Sequence, residues 1–184
     1  VEGATILEAS ATAATTTTST TDVLMAGMTL TPGAGDYLAV FSTSVKATSA
    51  SNIFVSIYVN GVQQAHTERR VFQEASIAGF EQPLMTYAHI TVGAGQAVEI
   101  RWRTDVANTI TANARTLNLF PVASADVSQA TATADTTLNS STYTLLNSMT
   151  LTPGAGTYLA IFSTSAEGVS GAVINALLFV GGTQ

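Results

Sequence analysis

The sequence predicts an all-β protein folded as an antiparallel β-sandwich. Apolar and polar residues alternate with period two, whereas no segment keeps a helical apolar stripe for three turns. Glycine-rich and Asn-Gly turn signals separate the alternating runs at short intervals. About eight to ten short strands joined in this way are typical of two packed antiparallel sheets.

The clearest strands begin near residues 36 and 52. In the first, Tyr37 and Phe41 face one way while Leu38 and Val40 face the other. Asn60-Gly61 ends the second strand and predicts a two-residue hairpin, because both central residues need a positive φ. Pro32-Gly-Ala-Gly35 and Gly93-Ala-Gly95 predict further turns between strands, and we expect later strands over residues 84–92, 96–104 and 112–121.

The chain also repeats itself. Residues 28–44 and 149–165 are identical at 15 of 17 positions, and the same offset of 121 residues aligns residues 1–63 with 122–184 at 31 of 63 positions. A unit of about 121 residues is therefore duplicated. We predict a first jelly-roll sandwich over residues 1–121 and the front half of a second copy over 122–184, which further chain or another subunit would complete.

The two copies indicate which strand face is buried. Ile53, Val55 and Ile57 all keep apolar counterparts in the second copy, whereas Phe54 is replaced by Asn175. Because an asparagine without hydrogen-bond partners is costly in a dry core, the Ile53 face should point inward and the Phe54 face outward.

A threonine-rich run, residues 15–21, is compatible with either an edge strand or a connector. Its counterpart, residues 136–142, is less uniform. The pattern does not decide between the two structures.

Composition and charge exclude several kinds of partner. Charged residues make up only 10% of the chain, and six Lys and Arg against twelve Asp and Glu give a net charge of −6. We therefore expect no nucleic-acid binding and no binding to anionic membranes. No apolar run reaches the roughly 18 residues of a membrane helix, and the absence of cysteine excludes disulfides and thiolate metal sites.

No motif points to catalysis. The Pro-Gly-Ala-Gly turn lacks the Lys and Ser or Thr of a phosphate loop, and no Gly-x-Ser-x-Gly elbow is present. His66 and His89 are 23 residues apart, with no spacing that predicts a third metal ligand, and we read both as ordinary strand residues. The sequence thus predicts a protein that is not an enzyme and has no metal, cofactor or catalytic residues.

Two groups of residues are candidate contact surfaces. Arg69, Arg70, Arg101 and Arg103 form a polar patch that could contact an anionic glycan or a neighbouring subunit, or could simply pair with carboxylates across strands. The outward apolar residues suit a subunit interface, where aromatic side chains are enriched. They are Leu38, Val40, Phe54 and Tyr58.

The order of these motifs resembles the C1q/TNF-like jelly-roll domain. The positions that match the recurring pattern of that family are Gly35, Tyr37, Phe41, Asn60, Gly61, Gly95, Val98, Leu117 and Leu119. The likeness covers the first copy and the front of the second, and it implies a homotrimer. Similar modules occur in head fibre, capsid decoration and tail fibre proteins of tailed bacteriophages, sometimes in tandem. The pattern departs from that family in that residues 1–184 contain no collagen-like or coiled-coil stalk.

The leading hypothesis is a structural protein of the virion exterior, either a capsid decoration or a fibre, that contacts its own copies and the major capsid protein or another surface protein. The alternative is a bacterial cell-surface adhesin that binds a host-surface glycan, or the subunit of an extracellular filament. All of these place the protein on a virion or outside a cell. So few charged residues favour a surface covered by hydroxyl groups or by other subunits.

Overall fold

The computed structural model describes residues 5–168 and 174–181. Ten strands lie within the first copy. In chain order they are β1 (Leu7–Ala11), β2 (Thr15–Thr17), β3 (Val23–Leu30), β4 (Gly35–Ala47), β5 (Ser51–Val59), β6 (Val62–Gln63), β7 (Arg69–Gln73), β8 (Gln82–Val92), β9 (Val98–Thr104) and β10 (Ile110–Pro121). Short 3₁₀ helices occupy Ala65–Thr67, Ala75–Ile77 and Ser124–Asp126.

The strands form two five-stranded antiparallel sheets. The first sheet has the order β1-β10-β4-β8, with β2 also paired to β10, and the second has the order β3-β9-β5, with β6 and β7 on the far side of β5. The chain crosses from one sheet to the other between β2 and β3, β3 and β4, β4 and β5, β7 and β8, β8 and β9, and β9 and β10. These crossings define a jelly roll, so the predicted sandwich is confirmed.

The core lies between the two sheets and follows the predicted alternation. Ile53, Val55 and Ile57 have no exposed surface, whereas Phe54 on the opposite face of β5 is only half-buried. The largest fully buried side chains come from both sheets. They include Trp102, Phe41, Met25, Met28, Ile53, Ile57, Ile100, Ile110, Leu117 and Leu119.

The backbone shows the structure of both the predicted hairpin and the threonine-rich run. Asn60 and Gly61 have φ angles of 50° and 77°, as a type I′ turn requires, and this turn joins β5 to β6. Residues 15–17 form the edge strand β2 on β10, while residues 18–21 connect it to β3. The run is thus an edge strand in its first half and a connector in its second.

Arg115 fastens one end of the sandwich, at the point where β10 shifts register against β4. Its buried guanidinium donates hydrogen bonds to the carbonyl oxygens of Ala26 (2.9 Å) and Ala13 (2.7 Å). Ala26 lies in β3, and Ala13 lies in the loop between β1 and β2. Burial lowers the pKa of Arg115. The side chain therefore ties the loop after β1 and the middle of β3 to β10.

The second copy has a different structure within the described residues. Residues 122–168 and 174–181 form no strand. Their regular structure consists of the 3₁₀ helix Ser124–Asp126 and a single bridge residue, Val180. Leu178 is 64% exposed, although its counterpart Ile57 is completely buried. The front half of a second sandwich remains a prediction.

Strand pairing explains this difference. In the first copy β1 and β2 pair with β10, β3 with β9, β4 with β8 and β10, and β5 with β7 and β9. The hairpin of β5 and β6 is the one pairing formed wholly within the described residues 5–63. Residues 122–184 repeat residues 1–63, so they carry the strands that need partners but no counterpart of β7–β10.

Candidate functional site

The four apolar residues of the predicted subunit interface do not form one surface. Leu38 and Val40 lie on the outer face of β4 in the first sheet, whereas Phe54 and Tyr58 lie on the outer face of β5 in the second. The outer faces of two packed sheets point in opposite directions, so treating the four as a single patch was wrong. The period of a strand shows that a side chain points outward but does not show to which sheet the strand belongs.

Part of the outer face of the first sheet is a regular array of nine side chains from β10, β4 and β8, which we call the β4 face. Three residues of β4 each lie between one residue of β10 and one of β8. The rows are Phe120-Leu38-His89, Asn118-Val40-Tyr87 and Thr116-Ser42-Met85. None of the nine is Lys, Arg, Asp or Glu.

Charged side chains border the β4 face, and the exposed Glu8 of β1 lies directly beside Asn118 in the strand register. Asp36, one step beyond Leu38 on the same face, accepts hydrogen bonds from the hydroxyls of Thr91 (2.5 Å) and Ser124 (2.7 Å). These two bonds, Thr91 first, lower the pKa of Asp36. His89 Nε2 lies 3.9 Å from the same carboxylate.

A short segment of the second copy lies against one corner of the β4 face. The Tyr87 hydroxyl donates a hydrogen bond to the carbonyl oxygen of Ile161, and the Ser163 hydroxyl donates to the carbonyl oxygen of Met85 (3.1 Å). Because β8 is an edge strand, its outer backbone groups are free to accept such bonds. The row centred on Leu38 lies beyond this corner, whereas the row centred on Val40 includes Tyr87.

The outer face of the second sheet has the opposite character, since guanidinium groups lie flat on aromatic rings. Arg103 lies 3.8 Å above the centre of the Phe54 ring, and Arg101 lies 4.8 Å above that of Tyr58. Phe54 stands between Arg103 and Arg70 in the strand register. Stacking of this kind orders both partners.

Carboxylates neutralise the same arginines. Arg103 lies 3.0 Å from Glu68 and 3.6 Å from Asp22, while Arg101 lies 2.8 Å from Glu99. The guanidinium donors are therefore engaged with groups of this chain. Arg101 and Glu99 lie two residues apart on β9, while Glu68 and Asp22 lie just before β7 and β3. Pairing with carboxylates of this chain is the alternative that the sequence left open beside a ligand patch.

Tyr58 and Asp22 join the same network. The Tyr58 hydroxyl donates a hydrogen bond of 2.7 Å to Asp22. Burial, followed by this hydrogen bond, raises the pKa of Tyr58 to about 12. The phenol thus stays protonated over the whole neutral range.

Arg69 does not belong to the polar patch. Neighbouring residues of a strand point to opposite faces, so Arg69 points away from Arg70. It reaches around the edge of the sandwich, where it donates hydrogen bonds to the carbonyl oxygen of His66 (3.0 Å) and to the hydroxyl of Ser163 (2.8 Å). The structure brings Arg70, Arg101 and Arg103 to one face and removes Arg69 from it.

Sequence reasoning also missed several partners and misplaced one histidine. Asp22 and Glu68 pair with Arg103 from distant parts of the chain, and no local pattern announces either contact. His66 lies in the 3₁₀ helix Ala65–Thr67, not in a strand, whereas His89 lies in β8 as expected.

Within the described ranges, no group of three or more His, Asp or Glu side chains comes together in a way that could hold a metal ion. In the same part of the chain, no helix is long and apolar enough to cross a membrane.

Comparison with known proteins finds likenesses of fold only. No family model and no curated protein matches the chain. Among solved structures, it is similar to the Eiger TNF of S. frugiperda, with a TM-score of 0.46 and 8% identity over 64% of this chain and 93% of that one. It is also similar to a chain of infectious bursal disease virus, Gx strain, with a TM-score of 0.42 and 11% identity over 65% of this chain and 33% of that one. Similarity at this level does not extend to function.

Proposed function

We propose that this protein is a non-enzymatic structural component of a virion exterior, a capsid decoration or fibre protein, that assembles as a homotrimer. In this proposal the β4 face is the contact between subunits. The major capsid protein or another virion surface protein is the second partner.

The contrast between the two outer sheet faces is the observation that carries the proposal. Buried contact areas are depleted of charged residues and enriched in aromatic ones. The β4 face has no Lys, Arg, Asp or Glu among its nine side chains and presents Phe120 beside Leu38 and Val40, while Tyr87 is bonded to Ile161 of the second copy. The opposite face carries charges that are already paired, as expected of a face that stays in water.

The glycan-binding alternative has less support. Anionic sugars would need free guanidinium donors, but Arg101 and Arg103 are engaged by Glu99, Glu68 and Asp22. A glycan would have to displace these carboxylates. Saturable glycan binding that is lost in Arg101→Ala would favour this alternative over a purely structural protein.

The subunit contact can be tested by mass in solution. We expect the intact chain to have about three times its mass of 18.9 kDa by light scattering at micromolar concentration. A Leu38→Asp/Val40→Asp variant should be monomeric, because it would bury two carboxylates without partners. Circular dichroism must show an unchanged strand spectrum in the variant.

A matched control comes from the opposite sheet. Leu24 is an outward leucine of β3 that is 47% exposed, and Leu24→Asp should leave the trimer intact. A monomeric intact protein, or a trimer that only Leu24→Asp dissociates, would contradict the proposed contact.

For the location, capsid and portal genes beside the coding sequence would support a virion component, whereas a cell-wall anchoring signal would support the adhesin.

A further inference from the structure

The strands of this jelly roll come from two halves of the first copy that depend on each other. Residues 1–63 supply β1–β6, and residues 64–121 supply β7–β10. Each of β1–β5 pairs with at least one strand of β7–β10, whereas β6 pairs with β5. The chain contains a second set of residues, 122–184, with the pattern of the first half. We infer that residues 122–184 can replace residues 1–63 on β7–β10, which gives a circularly permuted jelly roll made of residues 64–184.

Two residues of the second copy share the left-handed backbone of their counterparts in the first. Ser148 has a φ of 63°, where its counterpart Gly27 has 79°, and Gly181 has a φ of 58°, where its counterpart Asn60 has 50°. Left-handed backbone is uncommon and costly for serine, so its presence at the matching position indicates the same local structure. The second copy is thus shaped for the same strands before it has partners for them.

Side-chain hydrogen bonds are repeated as well. The Tyr158 hydroxyl donates to the carbonyl oxygen of Gly154 (2.8 Å), as the Tyr37 hydroxyl does to that of Gly33 (3.0 Å). These bonds brace the Pro-Gly-Ala-Gly turn that leads into β4 in the first copy. The entry to a second β4 is therefore formed.

One long-range contact also has its counterpart. Asp22 and Tyr58 meet through a hydrogen bond across β9 in the first copy. At the equivalent positions, Tyr143 and Phe179 pack edge to face with ring centres 5.9 Å apart. The positions that correspond to Asp22 and Tyr58 are thus in contact in the second copy as well.

The chain path allows the replacement without threading. Leu7 pairs with Leu119, so β1 begins beside the end of β10. The counterpart of Leu7 is Ser128, and the residues 122–127 that separate it from Pro121 are long enough for a hairpin loop. On the other side, residues 1–63 leave the domain at β6, an outer strand whose Val62 is 64% exposed.

Sequence differences explain why residues 1–63, and not residues 122–184, form the strands on β7–β10 in this structure. The fully buried Val55 corresponds to Ala176, which would leave unfilled space in the core. Gly27, with its positive φ, corresponds to Ser148, for which that conformation is less favourable. Both changes weaken the permuted arrangement relative to the first without removing its strand pattern.

A charged substitution in one set and then the other tests the replacement. Phe41 is fully buried in β4, and its counterpart is Phe162. Phe41→Asp should remain folded and keep its single tryptophan, Trp102 of the shared strand β9, in a buried environment by fluorescence. The Phe41→Asp/Phe162→Asp variant should lose this signal and its strand circular dichroism, whereas Phe162→Asp alone should behave as the unsubstituted chain.

Engineered cysteines report the exchange directly, since the chain has none of its own. Phe54 and Arg103 are register partners, and Asn175 is the counterpart of Phe54. Arg103→Cys/Asn175→Cys should form an intramolecular disulfide under slow oxidation, at a greater yield in the Phe41→Asp background. Arg103→Cys/Phe54→Cys should lose yield in that background.

The inference fails if Phe41→Asp is as unfolded as the double variant and residues 103 and 175 do not cross-link within one chain. A 103–175 cross-link found only between chains would also overturn it, because the exchange would then be a domain swap. Neither outcome bears on the β4 face, whose test is the mass of the assembly.

Discussion

Residues 28–44 and 149–165 share 15 of 17 residues but differ in structure. The first segment ends β3 and forms most of β4, where Phe41 is completely buried. The second forms no strand, and the equivalent Phe162 is 46% exposed. What differs is the presence of ladder partners, because β4 lies between β8 and β10 while the second segment has neither.

The comparison separates local from non-local structure. Turn conformations and side-chain-to-backbone bonds recur in both copies, as Tyr37 with Gly33 and Tyr158 with Gly154 show. Strand ladders do not recur in residues 122–168 and 174–181. A sequence with high strand preference therefore forms a strand only where neighbouring strands pair with it.

The largest effect on stability is expected in residues 64–121, because their strands β7–β10 would pair with residues 1–63 and equally with residues 122–184. Ile100→Ala in β9 removes a fully buried side chain between β3 and β5. We expect it to lower the free energy of unfolding by about 2–5 kcal/mol. Urea unfolding followed by Trp102 fluorescence measures this, and a loss below about 1 kcal/mol would mean that β9 is not the centre of the sheet.

An intermediate effect should appear at high pH, and only in the first copy. Burial and the bond to Asp22 raise the pKa of Tyr58 from 10.0 to about 12, while the counterpart Phe179 has no hydroxyl. The stability that this protonated phenol contributes is present below pH 10 and is lost as pH rises through about 12, because the unfolded chain releases the proton first.

Unfolding measured from pH 9 to 12 checks this expectation. Tyr58→Phe should show a smaller decrease in stability over this range than the unsubstituted chain. Equal slopes in the two proteins would show that the phenol of Tyr58 ionises normally.

The smallest effect is expected in the second copy. Leu159 is 84% exposed, so Leu159→Ala should change the free energy of unfolding by less than about 0.5 kcal/mol. Its counterpart Leu38 lies half-buried on the β4 face. A loss of more than about 1 kcal/mol in Leu159→Ala would show that residues 122–168 are packed in solution.

Most of the fold was predictable because alternation and turn chemistry are local. The period of residues 53–59 identified the buried face, and Asn60-Gly61 identified a hairpin. The division of the strands between two sheets was not predictable in the same way. It depends on pairings between residues as far apart as Leu7 and Leu119, which leave no mark on either segment alone.

The candidate contact surfaces also depend on the division of the strands between the two sheets, which the local sequence does not show. Leu38 and Phe54 both point outward, but their opposite directions follow from the crossing between β4 and β5. The exclusion of Arg69 was accessible from sequence, since it precedes Arg70 in a strand and must point the other way. The carboxylates that pair with Arg103 were not, because Asp22 and Glu68 reach it only in the folded domain.

Amide hydrogen exchange of the two near-identical segments tests the central claim most directly. Peptides covering residues 28–44 and 149–165 differ in mass and can be followed in one sample of the intact chain. We predict slow exchange for the β4 amides of the first peptide, which open only when the domain unfolds, and rapid exchange for the second. Equal protection of both peptides would contradict the claim that ladder partners from residues 64–121 decide which copy forms strands.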